Sequence, residues 1–211
     1  MKKIISLILL ISLFFISSAF ASDNAQNYDT ISLYLHGVLG VDGMTTSFSL
    51  PEKNGANREG VFLKVGVDGY KNEDLGAKLG ATADLSFSLP FRSEEKAGID
   101  LGKLPYLGLS GGIIFRSRPW DYIDISLSLK GNVSIYDYSS ISLGLSLEPQ
   151  ADIYFFDDIY LKVSLSYGSD IAKIPFGGDK YVVWNNLPSR FTFGIGCGYA
   201  FGGYSRFKSV V

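Results

Sequence analysis

Cysteine occurs once in the 211 residues and histidine once. A single thiol excludes an internal disulfide framework, and a single imidazole excludes the usual His-rich zinc sites. Charged side chains make up 19% of the chain, below the roughly 25% of an ordinary soluble domain. The formal net charge is -2, so there is no basic footprint for nucleic acid. Methionine is scarce at 2 residues, whereas Gly, Tyr and Phe number 24, 13 and 15. A helical bundle would lean instead on Ala, Leu, Glu and Lys. After the first twenty or so positions no apolar run approaches the ~20 residues of a transmembrane helix, which excludes a helical membrane protein.

The N-terminus reads as an address. Lys2 and Lys3 precede an apolar stretch, Ile4 to Ile16, broken only by Ser6 and Ser12. Ala19-Phe20-Ala21 then supplies a small-x-small cleavage site, so residues 1–21 are expected to be a secretory signal peptide. No Cys stands at the cleavage point, which argues against lipoprotein processing. The mature chain would be residues 22–211, or 211 − 21 = 190 residues, forming a single barrel domain.

Period-two alternation runs through the mature chain, the signature of strands. Leu75-Ala77-Leu79-Ala81-Ala83-Leu85-Phe87-Leu89 alternates with Gly76, Lys78, Gly80, Thr82, Asp84, Ser86 and Ser88. Ile123-Ile125-Leu127-Leu129-Gly131-Val133-Ile135 and Phe191-Phe193-Ile195-Cys197-Tyr199-Phe201 repeat the pattern. Eight strands are predicted, over Asp29–Val41, Val61–Tyr70, Asp74–Leu89, Leu104–Ser117, Asp121–Tyr136, Ser140–Phe155, Asp158–Tyr167 and Arg190–Phe201. Most prolines fall in connections or at strand starts, where a missing N–H does no harm. Pro149 does not, and is expected to mark a bulge or break in the sixth strand.

One face of these strands is apolar and carries no charge, while the other carries Ser, Gly, Thr and the charged residues. The alternation lasts roughly 13–15 residues per strand, against about 5–6 in soluble sheets. Small Ser and Gly make a poor solvated exterior and a good filling for a narrow lumen. Apolar-out, polar-in is the transmembrane pattern. Short turns at Lys71–Glu73, Arg118–Trp120 and Phe156–Asp157 alternate with long connections at Asp42–Gly60, Pro90–Lys103 and Gly168–Ser189; Asp137–Ser139 is short. Short periplasmic turns with longer outer loops fit an even-stranded barrel with both termini inside. Aromatics gather near the periplasmic ends (Tyr70, Trp120, Phe155, Tyr160, Tyr199, Phe201) and near the outer ends (Phe62, Phe87, Tyr136, Tyr167, Phe191). They are expected to form two interfacial girdles.

From Asp29 to Phe201 the chain resembles the small eight-stranded outer-membrane barrels, the group that includes OmpX and the OmpA transmembrane domain. The resemblance implies an all-β, antiparallel, up-and-down transmembrane barrel in the bacterial outer membrane. Gly196, Tyr199 and Phe201 match the alternating aromatic end that the barrel-assembly machinery reads in such proteins, whereas the tail Gly202–Val211 departs from it. That tail leaves open whether Phe201 or Phe207 closes the barrel. The partners expected are outer-membrane lipid, the assembly machinery during insertion, and an extracellular ligand at connections 42–60, 90–103 and 168–189. The protein is expected to act as a monomer without nucleic acid.

Residues able to carry chemistry are few. Lys64, Lys78, Arg116, Lys130 and Lys162 face inward with Asp68, Asp84, Asp124, Glu148 and Asp152. This balanced set reads as ion pairs plugging the lumen. His36 points inward with no acid beside it in sequence; an acidic partner in space would favour a lipid-modifying enzyme. Charges covering the outside would favour a soluble periplasmic lipid-binding barrel, and an open lumen a narrow porin. Cys197 faces lipid and is expected to be inert. Gly108-Leu109-Ser110-Gly111-Gly112 lacks the lysine and helix of a phosphate loop and reads as strand. The leading expectation is therefore a structural, adhesive or surface-interacting barrel, with no enzyme activity, catalytic residue, cofactor or metal.

Overall fold

The structure, a computed structural model, describes residues 31–46, 57–71, 77–94, 105–120, 122–135, 140–156, 158–176 and 187–201. The expected signal peptide and the tail 202–211 lie outside the described residues. Eight strands follow in chain order: β1 (Ile31–Thr45), β2 (Asn57–Lys71), β3 (Ala77–Glu94), β4 (Tyr106–Trp120), β5 (Ile123–Ile135), β6 (Ser140–Tyr154), β7 (Ile159–Pro175) and β8 (Ser189–Phe201). Each pairs antiparallel with its sequence neighbours, and β8 returns to β1 to close the barrel. Closure removes the unpaired strand edges that would otherwise have to be satisfied inside a bilayer. The closing ladder runs from Thr45 opposite Ser189 to Leu33 opposite Phe201, so Phe201 terminates the last strand; Phe207 is outside the described residues.

Because the side-chain period is two, one parity must face inward. Even-numbered residues do so through nearly all of the barrel: Tyr34, Lys64, Asp84, Ser128, Glu148 and Lys162 are buried, and Leu35, Leu63, Leu85, Leu127, Leu147 and Leu165 are exposed. Leu127 is 45% exposed while Ser128 beside it is 0% exposed. An apolar outside around a charged inside would be unstable in water and is what a bilayer requires. The barrel is a membrane protein, with its polar core in the lumen.

Several boundaries differ from those expected. β1 runs on to Thr45, β2 starts at Asn57, β3 continues past Pro90 to Glu94, and β7 extends to Pro175. Backbone pairing therefore outlasts the apolar face, since ladder hydrogen bonds do not require apolar side chains. Strands run into the expected connections 42–60 and 168–189 at both ends and into 90–103 at its β3 end, whereas β4 begins at Tyr106 rather than Leu104; Arg118–Trp120 belongs to β4. Pro90 sits opposite Gly60, where the β2–β3 register shifts, a position that spares a ladder donor.

Pro149 neither bulges nor breaks β6. It pairs in register with Leu127 of β5, and toward β7 the register is the same on either side, from Leu147 opposite Tyr167 to Gln150 opposite Ser164. The missing N–H interrupts that ladder without displacing it; the shift in β6 lies at Leu143/Gly144. The girdles also need correction. Trp120, Phe155, Tyr199 and Phe201 are exposed at the end expected to be periplasmic, joined by Tyr122 and Phe156, and Phe87, Tyr167 and Phe191 are exposed toward the end expected to face outward. Tyr70, Tyr160 and Phe62 have even parity and are buried in the lumen. Tyr136 lies outside the described residues.

Candidate functional site: the lumen

The inward charges join into one chain. Lys64 binds Glu148, which lies 2.9 Å from Lys130 Nζ, and Lys130 reaches Asp84 at 2.5 Å. Asp84 accepts from or donates to His36 Nε2 at 3.1 Å, according to tautomer and protonation. His36 Nδ1 faces Asp68 at 3.6 Å, too long for a hydrogen bond. Asp68 then meets Lys162 at 3.4 Å, Lys162 meets Asp152 at 3.1 Å, and Asp152 meets Arg116 at 3.2 Å. Arg116 and Arg118 share Asp124, each at 2.5 Å. Signs alternate within each of the two groups that His36 joins, Lys64 to Asp84 and Asp68 to Arg118, and each group is electrically neutral.

Gln150 bridges the same two groups a second time. Its amide nitrogen donates to Glu148 at 2.9 Å, and its carbonyl oxygen accepts from Lys162 at 2.6 Å. An amide suits this position because it carries both a donor and an acceptor. Removed from water, these groups persist only because nearly every one has an opposite charge at close range. The strands that supply them are far apart in sequence: Asp84–Lys130 are separated by 46 residues and Lys64–Glu148 by 84.

The periplasmic half is filled by aromatics around Arg116. Its guanidinium lies 4.0 Å from the Tyr34 ring centroid and 5.2 Å from that of Tyr70, and donates to the Tyr154 hydroxyl. Tyr34 meets Tyr70 edge-on at 5.4 Å, and Tyr154 and Tyr160 approach at 5.4 Å. These are favourable ring and cation–π geometries. Glycines make the room. A Cβ at Gly198 would stand 2.2 Å from the Tyr160 ring, and one at Gly66 would stand 2.0 Å from Asp84 Oδ1 and 2.6 Å from His36 Nε2.

The expected lumen set is thus largely assembled: Lys64, Arg116, Lys130, Lys162 and all five carboxylates lie in the chain. Lys78 shares their inward parity but is half-buried beside Arg116 in the β3–β4 ladder. Besides Asp170 at a cavity wall, four further charged residues lie in the lumen beyond the expected set. Arg58 donates to Asp42 at 3.0 Å and to Ser88 at 3.1 Å, and Arg190 donates to the Tyr106 hydroxyl at 3.0 Å. Arg118, expected in a turn, belongs to β4 and ends the chain of ion pairs. Even parity is the available signal for all four, but the alternation that reveals parity stops short of Asp42 and Arg58.

His36 does have acidic partners, unlike its sequence neighbourhood. Yet a Ser/His/acid set gives one imidazole nitrogen to the acid and the other to a hydroxyl. Here the second nitrogen faces another carboxylate. Ser110, whose hydroxyl donates to Asp84 Oδ2 at 3.3 Å, contacts the acid rather than the imidazole. Cys197 is exposed on the lipid-facing side of β8, and Gly108–Gly112 lies within β4. Among the described residues no group of His, Cys, Asp and Glu is arranged to hold a metal ion.

Neisserial surface protein A has a similar structure, with a TM-score of 0.55 over 80% of this chain and 97% of that one, at 12% identity. The fold is that of a small outer-membrane β-barrel. Ail of Yersinia pestis (TM-score 0.42, 14% identity, 82% and 99% covered) and OprG of Pseudomonas aeruginosa (0.44, 10%, 82% and 96%) also match. At those TM-scores they add nothing to the assignment. No family model matches the sequence, and no curated protein matches it. The apolar exterior, the closed eight-stranded ladder and the interfacial aromatics suit the barrel to the bacterial outer membrane.

Proposed function

We propose that this is a non-enzymatic integral protein of the bacterial outer membrane that acts at the cell surface through its outer rim, while its lumen is shut. The observation carrying this reading is the pair of ion-pair networks that cross the lumen and are joined through Gln150 and His36. Eight strands enclose a space that side chains can fill, and here they fill it with groups costly to separate. His36 is 2% exposed, so no substrate reaches its imidazole from lipid or water. The surroundings are outer-membrane lipid on the barrel wall, the assembly machinery during insertion, and an extracellular ligand at the outer connections 42–60, 90–103 and 168–189. The barrel acts as a monomer.

His36 between two carboxylates is the one observation favouring a lipid-modifying enzyme, and burial weighs against it. The test uses purified barrel in vesicles containing phospholipid and lipopolysaccharide. No hydrolysis or acyl transfer is expected, with or without His36→Ala. Turnover that vanishes in His36→Ala would establish the enzyme instead. The surface role is tested in intact cells by replacing residues 47–56 or 179–186 with short Gly-Ser linkers. Loss of attachment to host cells or matrix, with unchanged amounts of folded barrel, is the expected result. Parental cells that attach no better than cells lacking the protein would refute adhesion.

A further inference from the structure

Above the charge chain Phe62, Tyr106, Arg58 and Arg190 point inward but do not fill the lumen completely. A cavity of about 60 Å³ lies in its outer half, floored by Lys64 and Glu148. Its walls include Ser110, Asn132, Ser146, Ser166 and Thr192, one from each of five strands. Ser166 and Thr192 stand opposite each other in the β7–β8 ladder, both half-buried, so two neighbouring hydroxyls open into the space. Asn132 accepts from Ser146 at 3.2 Å through its amide oxygen, which leaves the amide N–H groups as donors.

Stability alone does not call for this. Empty space forfeits dispersion contacts, and the periplasmic half of the same lumen is filled by Tyr, Arg and Lys. The charges bordering the cavity are already engaged: Lys64 with Glu148, Glu148 also with Lys130, and Arg190 with Tyr106 and Ser134. Two cations, Lys64 and Arg190, balance two carboxylates, Glu148 and Asp170. The wall therefore offers hydroxyl and amide groups without net charge of either sign.

From this geometry we infer that the cavity is a binding cup for a neutral sugar residue. A sugar edge supplies hydroxyls that donate and accept in turn, matching walls that do the same, and brings no charge that must be neutralised. A volume of this size takes one edge of a ring, with the remainder projecting from the mouth. The free sugar and the terminal residue of a glycan share that chemistry. The inference goes beyond the surface role proposed above. Because its test is done in micelles, where both barrel ends are accessible, it does not depend on which end faces outward.

Cys197→Ala removes the lipid-facing thiol, and Ser166→Cys or Thr192→Cys then places one in the cup. Folded barrel in detergent micelles is treated with a small water-soluble methanethiosulfonate. Both cup thiols are expected to react, whereas Ser128→Cys, buried beneath the floor, does not. Neutral methyl glycosides should slow the reaction, by about threefold at twice the Kd, and Ser166→Ala should weaken the protection of Thr192→Cys. Protection by a glycoside alone assigns a free sugar; protection that requires an oligosaccharide assigns a glycan end. Unreactive cup thiols would overturn the inference, because the mouth would be shut. Reaction unaffected by every glycoside and oligosaccharide, or slowed only by sulfate, would overturn it as well.

Discussion

The two halves of the lumen solve the same enclosure differently. Toward the periplasmic end Arg116 lies over the Tyr34 ring and near that of Tyr70, and is tied to Asp124 and Asp152. Toward the outer end Phe62, Tyr106, Arg58 and Arg190 also point inward, but between them and the charged network stand the small Ser110, Ser146, Ser166 and Thr192, and a cavity remains. Both halves hang on the same ladder, so the backbone does not dictate the difference. Side-chain volume at even-numbered positions does. The lower half is where removing a group leaves a buried charge without its partner; the upper half is where removal enlarges a space already open.

The largest effect should come from the lower network. Lys130 lies between Asp84 and Glu148, and Lys130→Met leaves Asp84 without a lysine and Glu148 with Lys64 alone. A loss of about 3–5 kcal/mol is expected for breaking a buried pair on one side, read from urea unfolding in phospholipid vesicles. Adding Asp84→Asn should restore part of it, since coupled neighbours are not additive. A single variant as stable as the parent would mean that the pair does not hold the lumen together.

Next comes the outside. Leu127→Arg puts a charge on the lipid-facing side and should cost about 2–4 kcal/mol near the midplane, lowering the yield of inserted barrel. Ser128→Thr, one residue away on the inner face, should insert at nearly parental yield. Harmless Leu127→Arg in a protein that remains soluble would invert the assignment of faces.

A smaller loss is expected at Gly66. An added methyl would collide with Asp84 Oδ1 and His36 Nε2, both pinned by other partners. Gly66→Ala should cost about 1–3 kcal/mol by overpacking, checked by the same unfolding titration. Gly37, on the outer face, meets nothing within 4 Å of an added Cβ, so Gly37→Ala is the matched control and should be near neutral. The smallest effect belongs to the cup: Ser166→Ala should change stability by no more than about 0.5 kcal/mol. A larger loss there would erase the contrast between the halves.

Much of the barrel is legible in the amino-acid order, because antiparallel neighbours closing on themselves need only parity and strand number. The runs around Leu79, Leu127 and Phe193 carry the period plainly, and the same parity puts Asp84, Lys130 and Glu148 inside. Parity alone does not order them. That Asp84 meets Lys130, or that His36 stands between Asp68 and Asp84, depends on stagger and closure across the lumen, which alternation does not encode. Strand ends are hidden for a related reason: apolar alternation reports where lipid ends, whereas pairing continues to Thr45, Glu94 and Pro175. Asp42 and Arg58 escape the expected lumen set in this way. Tyr70, Tyr160 and Phe62 leave the expected girdles because an aromatic near a strand end suits either an interface or a lumen, and only their even numbers tell which.

The central claim is that linked networks of ion pairs and hydrogen bonds shut the barrel, and conductance tests it most directly. Purified protein in planar bilayers should show little or no stable ion current, because Lys64, Glu148, Lys130, Asp84, His36, Asp68 and Lys162 cross the lumen in close contact. A large, stable conductance from the unmutated protein would contradict the account and make it a porin.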